Sequence, residues 1–302
     1  MVDLKKILKH PGQIILSLNH HGFFRFLSDK SHAKLMYRAY FGKSLNLEQP
    51  KSFNEKMQWL KLYDRNPIYT TLVDKFEVKR YVISLLGKEY VIPTYGVYDS
   101  FEEIDFNTLP SQFVLKTTHD GGGSGIVICK NKVSLDRVEA RMILNKSLAR
   151  DVYKDLREWP YKDVPHRILA EQYLENNGEP LEDFKIHCFN GEPKMILVCR
   201  DRYAGSGLTE DFYTADWTHI PVRRPKHPNS REALPKPPQL QEMLDLSVQL
   251  SKGIPFVRTD FYIVDGKVFF GEMTFYPTSG YTAFEPEKYD DIIGTWLNLK
   301  TK

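Results

Sequence analysis

The segment that most restricts what this chain can become runs from residue 256 to 280, FVRTDFYIVDGKVFFGEMTFYPTSG. Two runs rich in β-branched and aromatic residues, 257–264 and 268–273, flank Asp265-Gly266, which predicts a β-hairpin. A simple core hairpin would carry no charge inside those runs, yet Arg258 and Asp260 stand on the first and Glu272 on the second. Residues two apart share a strand face, so Arg258 and Asp260 point the same way. The place of Glu272 depends on register. A two-residue turn at Asp265-Gly266 would pair Asp260 with Gly271 and send Glu272 to the opposite face. A three-residue loop with Gly266 left-handed in a bulge would pair Asp260 with Phe270, placing Glu272 on the face of Asp260 and opposite Arg258. Two carboxylates and a guanidinium would then converge, a composition suited to Mg²⁺ carrying phosphate oxygens. A surface hairpin with a cross-strand Glu–Arg pair is the plainer alternative.

The other hairpin with chemistry in it lies upstream. Residues 113–117 (FVLKT) read as a strand with Lys116 inside it, followed by THDGGGSG and a second strand over 126–130. A Walker loop needs Gly-Lys-Ser/Thr opening a helix, and a dinucleotide loop needs Gly-x-Gly-x-x-Gly before a helix; neither is present. Strand, glycine loop, strand instead lets backbone N–H groups of Gly121, Gly122, Gly123 and Ser124 fold over phosphates, with Lys116 as a nearby cation. The alternatives are a mobile hairpin tip and an edge-strand lysine.

Around these hairpins the expected elements follow in order. Ser52 and Glu55 frame a capping box, with a helix through Trp59 and Leu62 that stops before Pro67. A second helix is expected over 71–86, with Asp74-Lys75 in its first turn and Gly87 at its end. Lysine near a helix start opposes the macrodipole, a weak hint that Lys75 serves a ligand. A short strand over 90–97 is broken at Pro93. A helix over 134–150, a loop over 150–165 and a strand over 166–174 come next, then a turn at Asn176-Asn177-Gly178. The runs 183–189 and 194–200 form a hairpin around Asn190-Gly191. The Pro-rich, basic stretch 221–238 reads as a long surface connection and a candidate lid or substrate loop. A helix over 240–251, ending at Gly253, returns the chain to the charged hairpin.

A chain of 302 residues with 41% hydrophobic and 27% charged residues suits one large or two modest globular domains. No apolar run is long enough for a signal peptide or a membrane span. Cys129, Cys188 and Cys199 lack metal-type spacing and lie in strand-like runs, so buried thiols of a reducing cytoplasm are expected. The net charge of +3 is too small to imply nucleic acid, but it is unevenly spread. Residues 1–50 hold eight Lys/Arg against Asp3, Asp29 and Glu48, mixed with Ile14, Ile15, Phe23, Phe24 and Phe26. That mixture suits docking on anionic lipid or a membrane-bound partner, at the inner face of the membrane. A helical extension packed on the main domain is the plainer alternative.

Together, FNEKMQWLKLYDRNP, FVLKTTHDGGGSG, ILAEQYLE and RTDFYIVDGKVFFGEMTF resemble the ATP-grasp superfamily, in particular its teichuronopeptide-biosynthesis branch, whose members are also described as polysaccharide-biosynthesis or glycosyltransferase-like proteins. The resemblance runs from about Tyr37 to Tyr289. It implies an α+β fold, with two α+β lobes clasping ATP and a helical N-terminal extension over 1–66. The ATP-grasp domain would span 67–302, with lobes at 67–170 and 171–302. Lys75 and Lys116 resemble the cations on the α- and β-phosphates, and the Gly121–Gly125 loop the phosphate lid. Glu171, Gln172, Tyr173 and Leu174 look like the hinge that reads adenine and ribose, with Asp183 as a second ribose contact. Arg258 resembles the γ-phosphate arginine, and Asp260 with Glu272 the Mg²⁺ ligands. The superfamily usually has Asn two residues after that Glu; here it is Thr274, a shorter ligand.

The implied activity is an ATP- and Mg²⁺-dependent carboxylate–amine ligase of bacterial surface polysaccharide biosynthesis, joining an acidic sugar or glycan to an amine such as an amino acid. Phosphotransfer on the same fold, a literal glycosyltransferase and a non-catalytic nucleotide-binding assembly partner are the alternatives. The glycosyltransferase reading lacks an Asp-x-Asp motif in a suitable loop. Arg200, Arg202, Arg223 and Arg224 would suit an acidic acceptor, or are simply solvated loop arginines.

Overall fold

The computed structural model describes residues 11–121, 124–175, 181–200 and 207–299. The chain opens with helices α1 (Pro11–His20) and α2 (Asp29–Phe41), the second capped by the Ser28 hydroxyl and ended by Gly42 in a left-handed conformation. Ile15, Leu16 and Phe24 pack with Ala33, Met36 and Tyr37 of α2 against Trp59 and Tyr281. Helix α3 (Phe53–Tyr63) begins with both bonds of the expected capping box, Ser52 to the Glu55 N–H and the Glu55 carboxylate to the Ser52 N–H.

The single helix expected over 71–86 is two helices, α4 (Ile68–Val73) and α5 (Glu77–Leu86). The break has a local cause. Asp74 Oδ1 accepts from the N–H groups of Phe76 (2.8 Å) and Glu77 (3.1 Å), restarting a helix, while the Lys75 N–H turns away to Thr118 O (3.0 Å).

Strands β1 (Thr94–Tyr98), β2 (Phe113–Thr117), β3 (Ile126–Cys129) and β4 (Ile168–Gln172) form an antiparallel sheet in the order β1-β4-β2-β3. Helix α6 (Arg137–Leu148), capped by Asp136, sets Ala140 and Leu144 against Phe113, Leu115 and Val127. The stretch expected to be loop between α6 and β4 holds α7 (Val152–Leu156) and a 3₁₀ segment, Trp159–Asp163. Asp151 caps the first through the Lys154 N–H, and Pro160 suits the start of the second.

The second sheet contains β5 (Asp183–Phe189), β6 (Glu192–Arg200), β7 (Thr209–Thr214), β8 (His219–Ile220), β9 (Phe256–Val264) and β10 (Lys267–Thr274), in the order β10-β9-β5-β6-β7-β8. Asn190 and Gly191, both at positive φ, make the tight β5–β6 turn. Helix α8 (Leu240–Leu250) buries Met243, Leu246 and Leu250 on this sheet, and α9 (Lys288–Thr295) packs against α3. The connection over 221–238 is tied down rather than free. Val222 and Leu234 are buried, Arg223 bridges to Glu285, and the Trp217 indole N–H donates to Leu234 O (3.0 Å). Cys129, Cys188 and Cys199 are all buried. The turn expected at 176–178 lies outside the described residues.

Candidate functional site

The charged hairpin takes neither register considered from sequence. Asp265 (φ 49°) and Gly266 (φ 74°) form a two-residue turn that pairs Val264 with Lys267. Pairing then runs regularly to Phe270 opposite Phe261, where the register slips and Glu272, not Gly271, stands opposite Asp260. Gly271 is the extra residue of a β-bulge. A Cβ on it would lie 3.0 Å from the Tyr262 ring and 3.2 Å from Asp260 O, so the bulge is closed tightly around a residue without a side chain. The bulge restores the parity that the short turn would have lost. Asp260 and Glu272 share a face, and Thr274 rather than Glu272 is opposite Arg258.

Strand β5 pairs with the other side of β9 and completes a ladder: His187–Arg258–Thr274 in one row, Lys185–Asp260–Glu272 in the next, and Asp183 opposite Tyr262 beyond. Strand β9 is internal to the sheet and Asp260 is buried, so this is no surface hairpin. Arg258 grips Asp260 through Nε (2.7 Å) and Nη2 (2.6 Å), and the same Nη2 reaches Glu272 Oε1 (3.1 Å) and Thr274 Oγ1 (2.9 Å). The three oxygens expected to hold a metal therefore converge on one nitrogen. Lys185, which sequence reasoning missed, joins Asp260 (2.5 Å) to Asp183 (2.6 Å). Burial works against the charges of Arg258 and Lys185, but the surrounding carboxylates hold both more firmly protonated than usual.

The three oxygen ligands fit a hard cation: two carboxylates and a hydroxyl, already aimed at a common positive centre. Asp260, Glu272 and Thr274 would hold Mg²⁺ there. Among the described residues no group of three or more His, Cys, Asp and Glu forms a metal cluster by itself.

On the first sheet Lys116 sits in β2, paired on both sides by β3 and β4, so it is not an edge lysine. Its Nζ lies 2.5 Å from Glu171 Oε1, and Lys79 of α5 takes the other carboxylate oxygen at 2.7 Å. Burial opposes ionisation of Glu171, but Lys116 and Lys79 hold it below the usual carboxylate range. Lys79 was not singled out from sequence. Its signal, a lysine in the first turn of a helix on an otherwise apolar face, is weak. Gln172 is exposed and Tyr173 partly so, while Leu174 is buried with Ile92 and Val264; the Gln172 N–H is bonded to Pro93 O (2.9 Å).

The glycine loop springs from a fixed base. Thr117 N–H bonds Gly125 O (3.1 Å), and a Cβ at Gly125 would collide with Ser147 Oγ (2.3 Å) and Thr117 Oγ1 (2.5 Å). Asp120 accepts from Ser124 (2.5 Å), Ser147 (2.8 Å) and Arg150 (2.8 Å); burial opposes its charge, but these partners keep its carboxyl low. Gly121 has open space where a side chain would go, and Gly122 and Gly123 lie outside the described residues. Lys75, in the break between α4 and α5, donates to Asp120 O. Burial pulls its amine down; Glu272 and Asp120 resist and Lys116 reinforces. Lys75 is thus within electrostatic reach of both clusters. The half-buried Tyr161 also feels the charges of Glu272, Arg258 and Asp120.

Beyond β10, Thr278, Ser279 and Gly280 are all left-handed, an unfavourable conformation for the first two. One face of α3 holds them. Gln58 Nε2 donates to Ser279 O (3.1 Å) and Gly280 O (2.8 Å), Lys61 Nζ to Ser279 O (2.9 Å), and Asn54 exchanges two bonds of 2.8 Å with the Thr282 backbone. Pro277 and Thr282 line a small pocket together with Arg258, His187, Arg224 and Phe212. The loop arginines proposed for an acidic acceptor already have carboxylate partners: Arg200 with Glu182 (3.0 Å), Arg223 with Glu285 (2.7 Å) and Arg224 with Glu210 (2.5 Å). Arg202 lies outside the described residues.

Among solved structures the chain is similar to D-alanine–D-alanine ligase from Bacillus anthracis complexed with ATP, at 17% identity and a TM-score of 0.41, over 74% of this chain and 66% of that one. It is similar to D-Alanine-D-Alanine ligase from Helicobacter pylori at 13% identity and 0.43, over 82% and 70%, and to a RimK domain ATP-grasp protein from Sphaerobacter thermophilus at 12% and 0.42, over 78% and 70%. In a further Bacillus anthracis ligase structure the chain spans 57% of the relative's length. No curated protein matches. The family model described as TupA-like ATPgrasp matches residues 55–298, from the capping-box glutamate of α3 past both charged clusters to the end of α9, and the chain belongs to that family.

Proposed function

We propose that this protein is an ATP- and Mg²⁺-dependent carboxylate–amine ligase. The observation that carries the reading is the convergence of Asp260, Glu272 and Thr274 on Arg258 Nη2, with Lys75 near enough to Glu272 and to Lys116 to feel the charge of both. Lys75 and Lys116 would neutralise the α- and β-phosphates, Lys116 being aimed by Glu171 and Lys79. Gly121, Gly122, Gly123 and Ser124 would cover the phosphates. With its carboxylate committed to two lysines, Glu171 leaves adenine to the backbone of Gln172, Tyr173 and Leu174, with Asp183 on the ribose. Arg258 would exchange part of its contact with Asp260 for the γ-phosphate. Mg²⁺ on Asp260, Glu272 and Thr274 would supply charge neutralisation for the transferring phosphoryl group.

In the reaction a carboxylate oxygen attacks the γ-phosphorus and ADP leaves. An amine then attacks the acyl carbon, phosphate departs, and the amine proton passes to solvent. No protein nucleophile is needed, and the three buried thiols supply none. From the resemblance of its motifs to the teichuronopeptide-biosynthesis branch, we propose a uronic acid of a bacterial surface polysaccharide as the carboxylate and an amino acid as the amine. Mass spectrometry of reactions with ATP, Mg²⁺, uronic-acid glycans and amino acids tests it. An amide product with ADP and phosphate is expected. A phosphate ester would make the protein a phosphotransferase, and ATP bound without turnover would make it a nucleotide-binding partner.

A further inference from the structure

None of the residues proposed for the ATP site lies in the N-terminal basic region, and the structure of that region has a definite polarity. Between α1 and α2 the chain turns through residues 21–27. Phe24 points inward to the core shared with α2 and Tyr281, whereas Phe23 and Phe26 are 62% and 77% exposed. On α1, Ile14 and Leu18 are one helical turn apart and both exposed. On α2, Lys30, Lys34 and Arg38 recur every fourth residue and are exposed, away from buried His32, Ala33, Met36 and Tyr37. None of these three cations enters an ion pair among the described residues. Asp29, at the start of α2, is turned to Arg65 (2.8 Å) and Tyr153 (2.8 Å).

We propose that the turn between α1 and α2 docks on an anionic lipid bilayer, with Phe23 and Phe26 entering the interface and Lys30, Lys34 and Arg38 meeting headgroup phosphates. Two protruding rings bury about 150–250 Å² each. That is well short of the roughly 1,200 Å² of a stable protein interface. A bilayer interface accepts such rings without a fitted pocket. Long basic side chains can lay their stems over apolar surface while their heads reach phosphate. The unpaired basic stripe selects an anionic surface over a neutral one. This inference does not depend on the ligase reading.

The test is flotation of the full chain with vesicles of phosphatidylcholine alone, or with phosphatidylglycerol as roughly one lipid in three. Flotation is expected with the anionic vesicles only, and it should weaken on raising salt. Phe23→Ser with Phe26→Ser, and separately Lys30→Gln with Lys34→Gln and Arg38→Gln, should each reduce bound protein on the order of tenfold or more. Because all five side chains are exposed, melting temperature and binding of a fluorescent ATP analogue should stay unchanged, which separates this outcome from misfolding or a failed ATP site. Wild-type protein that remains unbound, floats equally with neutral vesicles, or floats equally in the variants overturns the proposal. So does a wild-type dimer by light scattering that the phenylalanine variants convert to monomer without any lipid binding.

Discussion

At the scale of single residues the site is built from charges that other charges hold in place. Lys116 is the most direct test. It is nearly buried, central in its sheet and fixed by Glu171, so Lys116→Met should keep the fold and lose on the order of 10²–10³ in ATP turnover, as removal of an electrostatic stabiliser does. Unchanged turnover in an ATPase assay would leave Lys116 as one arm of a structural ion pair. Thr274 has the opposite expectation. Its hydroxyl already lies 2.9 Å from the atom on which Asp260 and Glu272 converge, so Thr274→Asn should retain activity and lower the Mg²⁺ concentration needed for half-maximal rate. A loss above tenfold in a Mg²⁺ titration would assign Thr274 a role that an amide oxygen cannot fill. Lys185 and Lys79 escaped sequence reasoning because a paired lysine is recognised by its partner, and the partners Asp260 and Glu171 come from strands far away in the chain. The Asp183-x-Lys185-x-His187 alternation within a buried strand was the available signal.

At the scale of elements, the sequence made both charged hairpins visible but not how the second one is registered. The turn residues Asp265-Gly266 were legible and form the turn they suggest; the bulge at Gly271 is what aligns the carboxylates. A glycine inside a strand run is itself a bulge signal, but two competing registers that differed only at the turn left no place for it. Gly271→Val should therefore be severe. The added side chain meets the Asp260 backbone and Tyr262, and relief by abolishing the bulge would turn Glu272 to the opposite face. The expected result is loss of Mg²⁺-dependent turnover with the far-ultraviolet circular dichroism retained; a variant with wild-type Mg²⁺ dependence would show that the register is fixed elsewhere. Helix α3 packs Phe53, Met57 and Leu60 into the core, while its more specific work is polar. Gln58→Ala removes two bonds from the left-handed segment 278–280 and leaves Gly280 O and Ser279 O with fewer donors. A stability loss of about 1–3 kcal/mol is expected by denaturant titration. A loss well below that range would mean that Lys61 and Asn54 suffice.

For the whole molecule, buried titratable groups make stability depend on pH in two separate windows. Burial, reinforced by nearby positive charge, lowers His32 and His119 to about 4 and His187 to about 3. In the unfolded chain each titrates near 6.5, so between pH 6.5 and about 4 the unfolded state binds more protons and stability must fall as the pH falls. Carboxylates whose folded values are depressed, Glu171, Asp120, Asp151 and Asp29, act lower: the stability they contribute is present above their unfolded values and is lost as pH drops through their folded ones. The histidine window is thus the first met on acidification. His187 is the sharpest probe, since it lies beside Arg258, is 4% exposed and uses only backbone partners such as Lys185 O at 3.0 Å. Its contribution to the slope is at most about 1.4 kcal/mol per pH unit. Denaturant midpoints measured at pH 7, 6 and 5 should decline for the wild type and decline less for His187→Asn, whatever that variant costs at neutral pH. Parallel declines in the two proteins would show that His187 is protonated in the folded state within this range, and that the pocket beside Arg258 is open to water.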